Sequence, residues 1–235
     1  MTDRTTTTPQ RLSSIRDTID VMADATLARL GTVAERRWGL ITTAQAEGVG
    51  VSRKQLSRMA SSGALERVAQ GVYRMAGAPP QDNEAIYATW LALGGATNPR
   101  TDAGVAPVVA AGITAAVIHG LGDFFLDSFD FMVPARRGTR LPGVRLRVRH
   151  LTADEVVPVA GLPTLTVERM IADLVELRID RSLVAGVVRD AVRADKLVHP
   201  EKLVTYLAVR SRDGRALAAD LFERAGVALE GSSNG

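Results

Sequence analysis

At 235 residues, with 46% hydrophobic and 23% charged side chains, the chain can bury a sizeable core and is neither collagenous nor disordered in composition. It contains no cysteine, which excludes a disulfide framework, a thiolate metal site and a cysteine nucleophile, and fits the reducing cytoplasm. No apolar run reaches the roughly 18 residues of a membrane-spanning helix, and the first 25 residues lack the apolar core of a signal peptide, so neither insertion nor secretion is expected.

In chain order, residues 1–25 read as a Thr-rich polar tail running into a helix with Leu12, Ile15, Ile19 and Met22 on one stripe, either a docking helix or a weak oligomer seam. Residues 26–78 form a compact block that reads as helix, glycine turn, helix, hairpin. Thr42 or Thr43 caps a short first helix, Gly48 or Gly50 supplies the positive φ of a tight turn, and Ser52 with Gln55 makes a Ser-x-x-Gln capping box. At 100° per residue Leu56, Met59 and Ala60 share the inner face of the second helix, directed at the first helix and at Trp38 or Val51. The outer face holds Lys54, Ser57, Arg58 and Ser61, with Ser52, Arg53 and Gln55 at the N-terminal end, the part of a recognition helix that reaches base edges in the major groove.

Two β-prone runs follow, Gly63–Val68 and Val72–Met75, joined at Ala69-Gln70-Gly71. This hairpin reads as a wing that presents Arg67, Gln70 and Arg74 to phosphates or a minor groove while Tyr73 packs on the helices. Residues 26–78 carry eight basic and three acidic side chains, a net +5, so the remainder of the chain is slightly acidic. The expectation is a winged helix-turn-helix that binds double-stranded DNA. The plain alternative is a protein-protein module with solvated arginines, since arginine enrichment also follows from a GC-rich genome.

Pro79-Pro80 can continue neither helix nor ladder, so residues 79–82 read as a linker to a second domain at 83–231, followed by a tail at 232–235. Its expected elements are a helix over 83–93, a strand over 106–111, a helix over 113–119, strands over 129–133 and 144–149, and helices over 166–177, 181–194, 200–211 and 214–225. Strands followed by helices give an α+β fold: a winged helix-turn-helix, then a larger mixed α/β domain ending in helices.

Within that domain Arg136, Arg137, Arg140, Arg145, Arg147 and Arg149 run without an intervening acid, the last three on one strand face. They form either a second phosphate or acidic-partner surface, or the solvated side of the sheet. His119, at the end of an apolar helix, reads as a core or capping group, and His150 and His199 have no partner at metal-ligand spacing. Arg169 and Asp173, four apart on a helix, read as a structural ion pair, worth about 0.3–0.5 kcal/mol if exposed. No phosphate loop, nucleophile elbow or His-carboxylate cluster is present, and Asp123, Asp127 and Asp130 in a loop beside phenylalanines make a poor metal site. No catalysis, cofactor or metal is therefore expected. The residual enzymatic reading rests on Asp127 and Asp130.

The phrases Thr42-Thr43-Ala44-Gln45-Ala46, Gly50-Val51-Ser52-Arg53, Gly63-Ala64-Leu65-Glu66-Arg67-Val68 and Gln70-Gly71-Val72-Tyr73-Arg74 resemble the N-terminal domain of the AbiEi family of abortive-infection antitoxins. The likeness extends to Ala111–Leu121, Phe131-Met132-Val133-Pro134, and Leu162-Pro163-Thr164 leading into Glu168-Arg169-Met170-Ile171-Ala172-Asp173-Leu174, and so covers roughly residues 27–177. The resemblance implies a cytoplasmic phage-defence antitoxin and autorepressor. Its winged helix would bind inverted repeats in its own promoter, and its C-terminal domain would counter a nucleotidyltransferase-like toxin. The other reading is a stand-alone winged-helix transcription regulator whose C-terminal domain senses a ligand or dimerises.

Overall fold

The computed structural model of the chain describes residues 25–210 and 213–227. The Thr-rich tail, the stripe Leu12, Ile15, Ile19 and Met22, and the tail at 232–235 lie outside the described residues.

The first compact unit begins its described part with α1 over residues 25–34 and a 3-10 turn at Glu35–Arg37. Then come β1 (Leu40–Thr42), α2 (Thr43–Gly48), α3 (Arg53–Ser61), β2 (Leu65–Ala69) and β3 (Val72–Met75). Leu40–Thr42 reads in the sequence as the approach to a helix. It is instead a buried strand that pairs antiparallel with β3, Ile41 opposite Tyr73, giving a three-stranded sheet in the order β1-β3-β2. Both helices open on reciprocal capping boxes, Thr42 with Gln45 and Ser52 with Gln55, and the turn between them takes its positive φ at Gly50. Leu30, Ala34, Ile41, Ala46, Val51, Leu56 and Leu65 form the core, with Met59, Ala60 and Tyr73 packed on it. Trp38 goes elsewhere: its indole stacks on Tyr87, ring centroids 4.4 Å apart.

Tyr87 belongs to α4 (Glu84–Ala92). The division between the two compact units falls inside this helix, at Ala88/Thr89, beyond the Pro-Pro segment at 79–82. The first half of α4 is fastened to the winged helix by the Trp38 stack and by Glu84, whose carboxylate accepts from Arg74 at 2.8 Å.

In the second unit β4 (Val109–Ala110), α5 (Gly112–His119), β5 (Phe129–Val133) and β6 (Val144–Val148) precede β7 (Val156–Val159) and β8 (Leu162–Leu165). The sheet order is β6-β5-β4-β8-β7, with β5–β6 and β4–β8 parallel and β4–β5 and β7–β8 antiparallel. Four helices complete the unit: α6 (Val167–Glu176), α7 (Arg181–Arg193), α8 (Pro200–Arg210) and α9 (Gly214–Ala225). α6 packs on α5, α7 and α8, and α9 packs on α7 and α8. Val109, Met132, Leu165, Met170, Ile171, Leu174, Val184, Val188 and Leu221 join in one core. The architecture is α+β.

The hairpin β7–β8 has no counterpart in the sequence reading. Each strand contains a proline, which ordinarily argues against a strand, yet Pro158 and Pro163 face one another in the ladder. The turn between them has positive φ at both Ala160 and Gly161, the requirement of a two-residue type I′ connection. Asp130, grouped in the sequence with Asp123 and Asp127 as a poor metal site, lies within the strand expected over 129–133 and is 4% exposed. Arg169 and Asp173 are 1% and 0% exposed, so the ion pair read from the sequence is a core one, Nη1 to Oδ1 3.9 Å.

Candidate nucleic-acid interface

Helix α3 is fixed by chemistry on its inner face and at its start. Its inner face is pinned by Leu56, fully buried among Leu30, Ile41, Ala46 and Val51. At its start, the Ser52 hydroxyl accepts from Gln55 N and donates to Gln55 Oε1 at 2.8 Å, while Ser52 N donates to the same oxygen at 2.9 Å. These two side chains therefore set where α3 begins, satisfying amides that would otherwise lack partners.

The outer face carries Arg53, Lys54, Ser57, Arg58 and Ser61, all exposed. They differ in how their charge is already used. Arg53 Nε lies 2.9 Å from Glu47 Oε1, a bridge from α3 back to α2, with the arginine side chain still 79% exposed. Lys54 and Arg58 have no carboxylate within ion-pair distance among the described residues. Ser61 donates to the Ser57 carbonyl at 3.0 Å. The helix thus offers two uncompensated cations one turn apart, flanked by small hydroxyls.

The wing is a short hairpin. Gln70 is exposed at its tip, and Gly71, at φ +72, completes the turn. The Gly71 carbonyl accepts from Thr43 N at 2.8 Å, tying the tip to the start of α2. Arg67, exposed on β2, has no internal partner among the described residues. Arg74 has two. Its guanidinium donates to Glu84 Oε1 and Oε2 at 2.8 and 2.9 Å and also to Glu66, with the side chain 12% exposed. Those hydrogen bonds, Glu84 first and Glu66 second, hold its pKa above the ordinary arginine value. Arg74 is a brace between β3, β2 and α4, placed differently from the phosphate contact read from the sequence.

The arginines of the second unit divide in the same manner. Arg147 donates to Asp173 Oδ1 at 2.8 Å and Oδ2 at 2.5 Å, and its Nε lies 4.0 Å from Asp130 Oδ1. Arg149 pairs with Glu176. Arg136, Arg140 and Arg145 are exposed and have no carboxylate partner among the described residues. Arg137 is half-buried; its Nε and Nη2 are shut off from solvent with no hydrogen-bond partner, and burial lowers its pKa. The acid-free run in the sequence is therefore a mixture of two structural arginines and four uncompensated ones.

Sequence reasoning missed the buried polar groups behind this surface. Asp173 accepts from Gly112 N at 2.9 Å as well as from Arg147. Gly112 sits at φ +54, and a Cβ there would lie 2.9 Å from Leu177 Cδ1, so this close approach requires glycine. Arg169 Nε donates to Glu155 Oε1 at 2.9 Å. Asp130 is pushed up from the usual carboxylate pKa by burial, against the pull of Arg147 and Arg145. Residues 169 and 173 lie on the side of α6 opposite its apolar stripe Val167, Met170, Ile171 and Leu174, so the helical pattern carried no signal for their burial. No group of three or more His, Asp or Glu among the described residues is placed to hold a metal ion, and no helix among them is long and apolar enough to cross a membrane.

Comparison with known proteins supplies further findings. Residues 29–76 match the family described as "Transcriptional regulator, AbiEi antitoxin", a match that spans α1 to the end of the wing. The fold is similar to that of the RV2827C protein from Mycobacterium tuberculosis, whose crystal structure superposes with a TM-score of 0.54 at 19% identity, covering 86% of this chain and 78% of that one. No curated protein matches the chain by sequence.

Proposed function

We propose, from the premise that residues 29–76 belong to the AbiEi antitoxin family of transcriptional regulators, that the protein is an operator-binding repressor and antitoxin. In this reading α3 enters the major groove of a promoter inverted repeat. Arg53 and Lys54 reach base edges near its N-terminus, Ser57, Arg58 and Ser61 lie along the groove, and Arg67 and Gln70 of the wing hold phosphates. Residues 83–231 form the antitoxin domain, which counters a nucleotidyltransferase-like toxin in the cytoplasm, and Arg136, Arg137, Arg140 and Arg145 give it a surface for a polyanion. The chain acts as a regulator rather than as an enzyme.

The observation that carries the DNA-binding part is the outer face of α3, where Lys54 and Arg58 are exposed and unpaired while neighbouring arginines are neutralised. A cation left free in a unit that pairs others with carboxylates is the group available to release counterions from a duplex. Fluorescence anisotropy on the DNA upstream of the gene tests it. Lys54→Ala and Arg58→Ala should each weaken binding, by about 1–3 kcal/mol where the side chain reads a base. Unchanged affinity in both variants would remove α3 as the reading element. Co-expression with the adjacent gene, scored for rescue of growth, tests the antitoxin part.

A second reading, a stand-alone regulator with a ligand-sensing C-terminal unit, is favoured by one feature: a cavity of about 540 Å³ lined by α5, β7, α6 and the segment after α7. Such a volume lies in the range of small-molecule sites, about 300–1,000 Å³.

A further inference from the structure

That cavity lies in the second unit and is walled by Ile118, Val157, Val159, Val167 and Val198, with His119, Glu168 and Lys196 among its polar groups. Two of those groups are deeply buried acceptors. Glu168 is 5% exposed, sits in the first turn of α6, and accepts from His199 N at 2.8 Å through Oε1. The positive end of the helix and this amide both face it with donors. Its second oxygen has no protein donor, and no Lys, Arg or His nitrogen lies within ion-pair distance of it among the described residues. A buried carboxylate without a counter-cation is costly, by far more than a neutral polar group.

The second acceptor is His119, 8% exposed. Its Nε2 lies 2.8 Å from the Leu165 carbonyl oxygen, which can only accept, so Nε2 carries the ring proton. Burial keeps the imidazole neutral, which leaves Nδ1 as a bare acceptor. Lys196, which could have neutralised Glu168, is turned aside: its Nζ donates to the His119 backbone carbonyl at 2.5 Å. Counting Glu168 and Asp195 against Lys196, with His119 and His199 neutral, the lining is net negative by one charge.

Two buried acceptors, aliphatic walls and a net negative lining select one chemistry. We propose that this cavity is a binding site for a primary alkylammonium group, whose N–H donors meet Glu168 and His119 while its methylenes lie against Val157, Val159 and Val198. A carboxylate ligand would meet Glu168 with like charge, and a neutral alcohol would leave that charge uncompensated.

The test uses the full-length protein and amide chemical shifts of residues 166–168 and 195–199, titrated with isoamylamine, isoamyl alcohol and 4-methylpentanoate. The amine should bind at least tenfold more tightly than the other two. Glu168→Gln, which keeps an acceptor for His199 N, should lose that preference. Because that change could also disturb α6, Val159→Phe is measured in parallel: it fills the cavity, leaves Glu168 intact, and should abolish amine binding at unchanged circular dichroism. Cadaverine and Nα-acetyl-lysine amide then separate a free amine from a lysine side chain of a polypeptide, and tighter binding of either supports the site. The proposal is overturned if no amine shifts these amides, if 4-methylpentanoate binds as well as the amine, or if Val159→Phe binds like the parent.

Discussion

Replacing Asp173 by Ala tests what holds the second unit together. Asp173 is fully buried and accepts hydrogen bonds from Gly112 N and from both terminal nitrogens of Arg147, with Arg169 Nη1 3.9 Å away. Alanine removes the common counter-charge, leaving an unpaired amide at the start of α5 and two guanidiniums with side chains only 18% and 1% exposed. Breaking a buried ion pair from one side costs about 3–5 kcal/mol, which for a domain of this size corresponds to roughly 6–20 °C in the thermal midpoint. The reporter is built in: the chain has two tryptophans, and Trp90, 6% exposed with its indole N–H donating to Val108 O at 3.0 Å, lies in this unit. In a Trp38→Phe background, urea unfolding followed by Trp90 fluorescence should show the full loss. Adding Arg147→Met to Asp173→Ala should recover part of it, because a guanidinium left with only Asp130, 4.0 Å from its Nε, is then gone. A loss under about 1 kcal/mol, against the 3–5 expected for a buried pair, would refute the reasoning.

Other expected outcomes concern both units. Ser52→Ala should cost about 1 kcal/mol in the unfolding of the first unit, read by Trp38 fluorescence, since it removes the cap of α3. Arg67→Ala should reduce the slope of log affinity against log salt by about one at unchanged stability, whereas Arg74→Ala should lower the melting temperature and leave that slope nearly unchanged, its charge being already met by Glu84 and Glu66. For His119, burial places the folded-state pKa below the ordinary value of about 6.5. The unfolded chain then takes up the proton first as pH falls, so its stabilising contribution is intact above about pH 6.5 and is lost as pH drops from there towards the folded pKa. Urea midpoints at pH 7.5 and 5.5 should therefore differ more in the parent than in His119→Gln; an equal difference in both would count against it.

Signals that span a few residues were legible in the sequence. Ser52 and Gln55, three apart, specify a helix start that needs no tertiary help, and Gln70-Gly71 between β-prone runs specifies the wing. Illegible features depend on partners far along the chain. β1 is three buried residues with no period to detect, made into a strand by β3 about thirty positions later. β7 and β8 were hidden by prolines that are harmless where they face each other on a ladder at the sheet's edge. Arg74 looks like any wing arginine until α4 brings Glu84 beside it. Glu168 and His119, far apart in sequence, share a cavity only because α5 and α6 pack together.

The same reasoning sorts Arg145 and Arg147 of β6 and Arg149 just past its end, which alternation alone makes equivalent. Arg147 and Arg149 are two apart on a strand, about 6.6 Å; their partners Asp173 and Glu176 are three apart on α6, about 4.5 Å. The mismatch of about 2 Å is within the reach of two long side chains, so strand and helix, running the same way, are fastened by successive ion pairs. Extending the pattern one step back along both elements brings Arg145 against position 170. That position is Met170, a fully buried core residue that cannot accept a hydrogen bond from a guanidinium in this setting. The ladder therefore ends at Arg147 for want of a third carboxylate, and Arg145 is left exposed with its charge uncompensated, as are Arg136 and Arg140 on the segment that leads into β6. Arg147 and Arg149 are thus engaged by carboxylates of α6, and the uncompensated cations open to an external anion are the others.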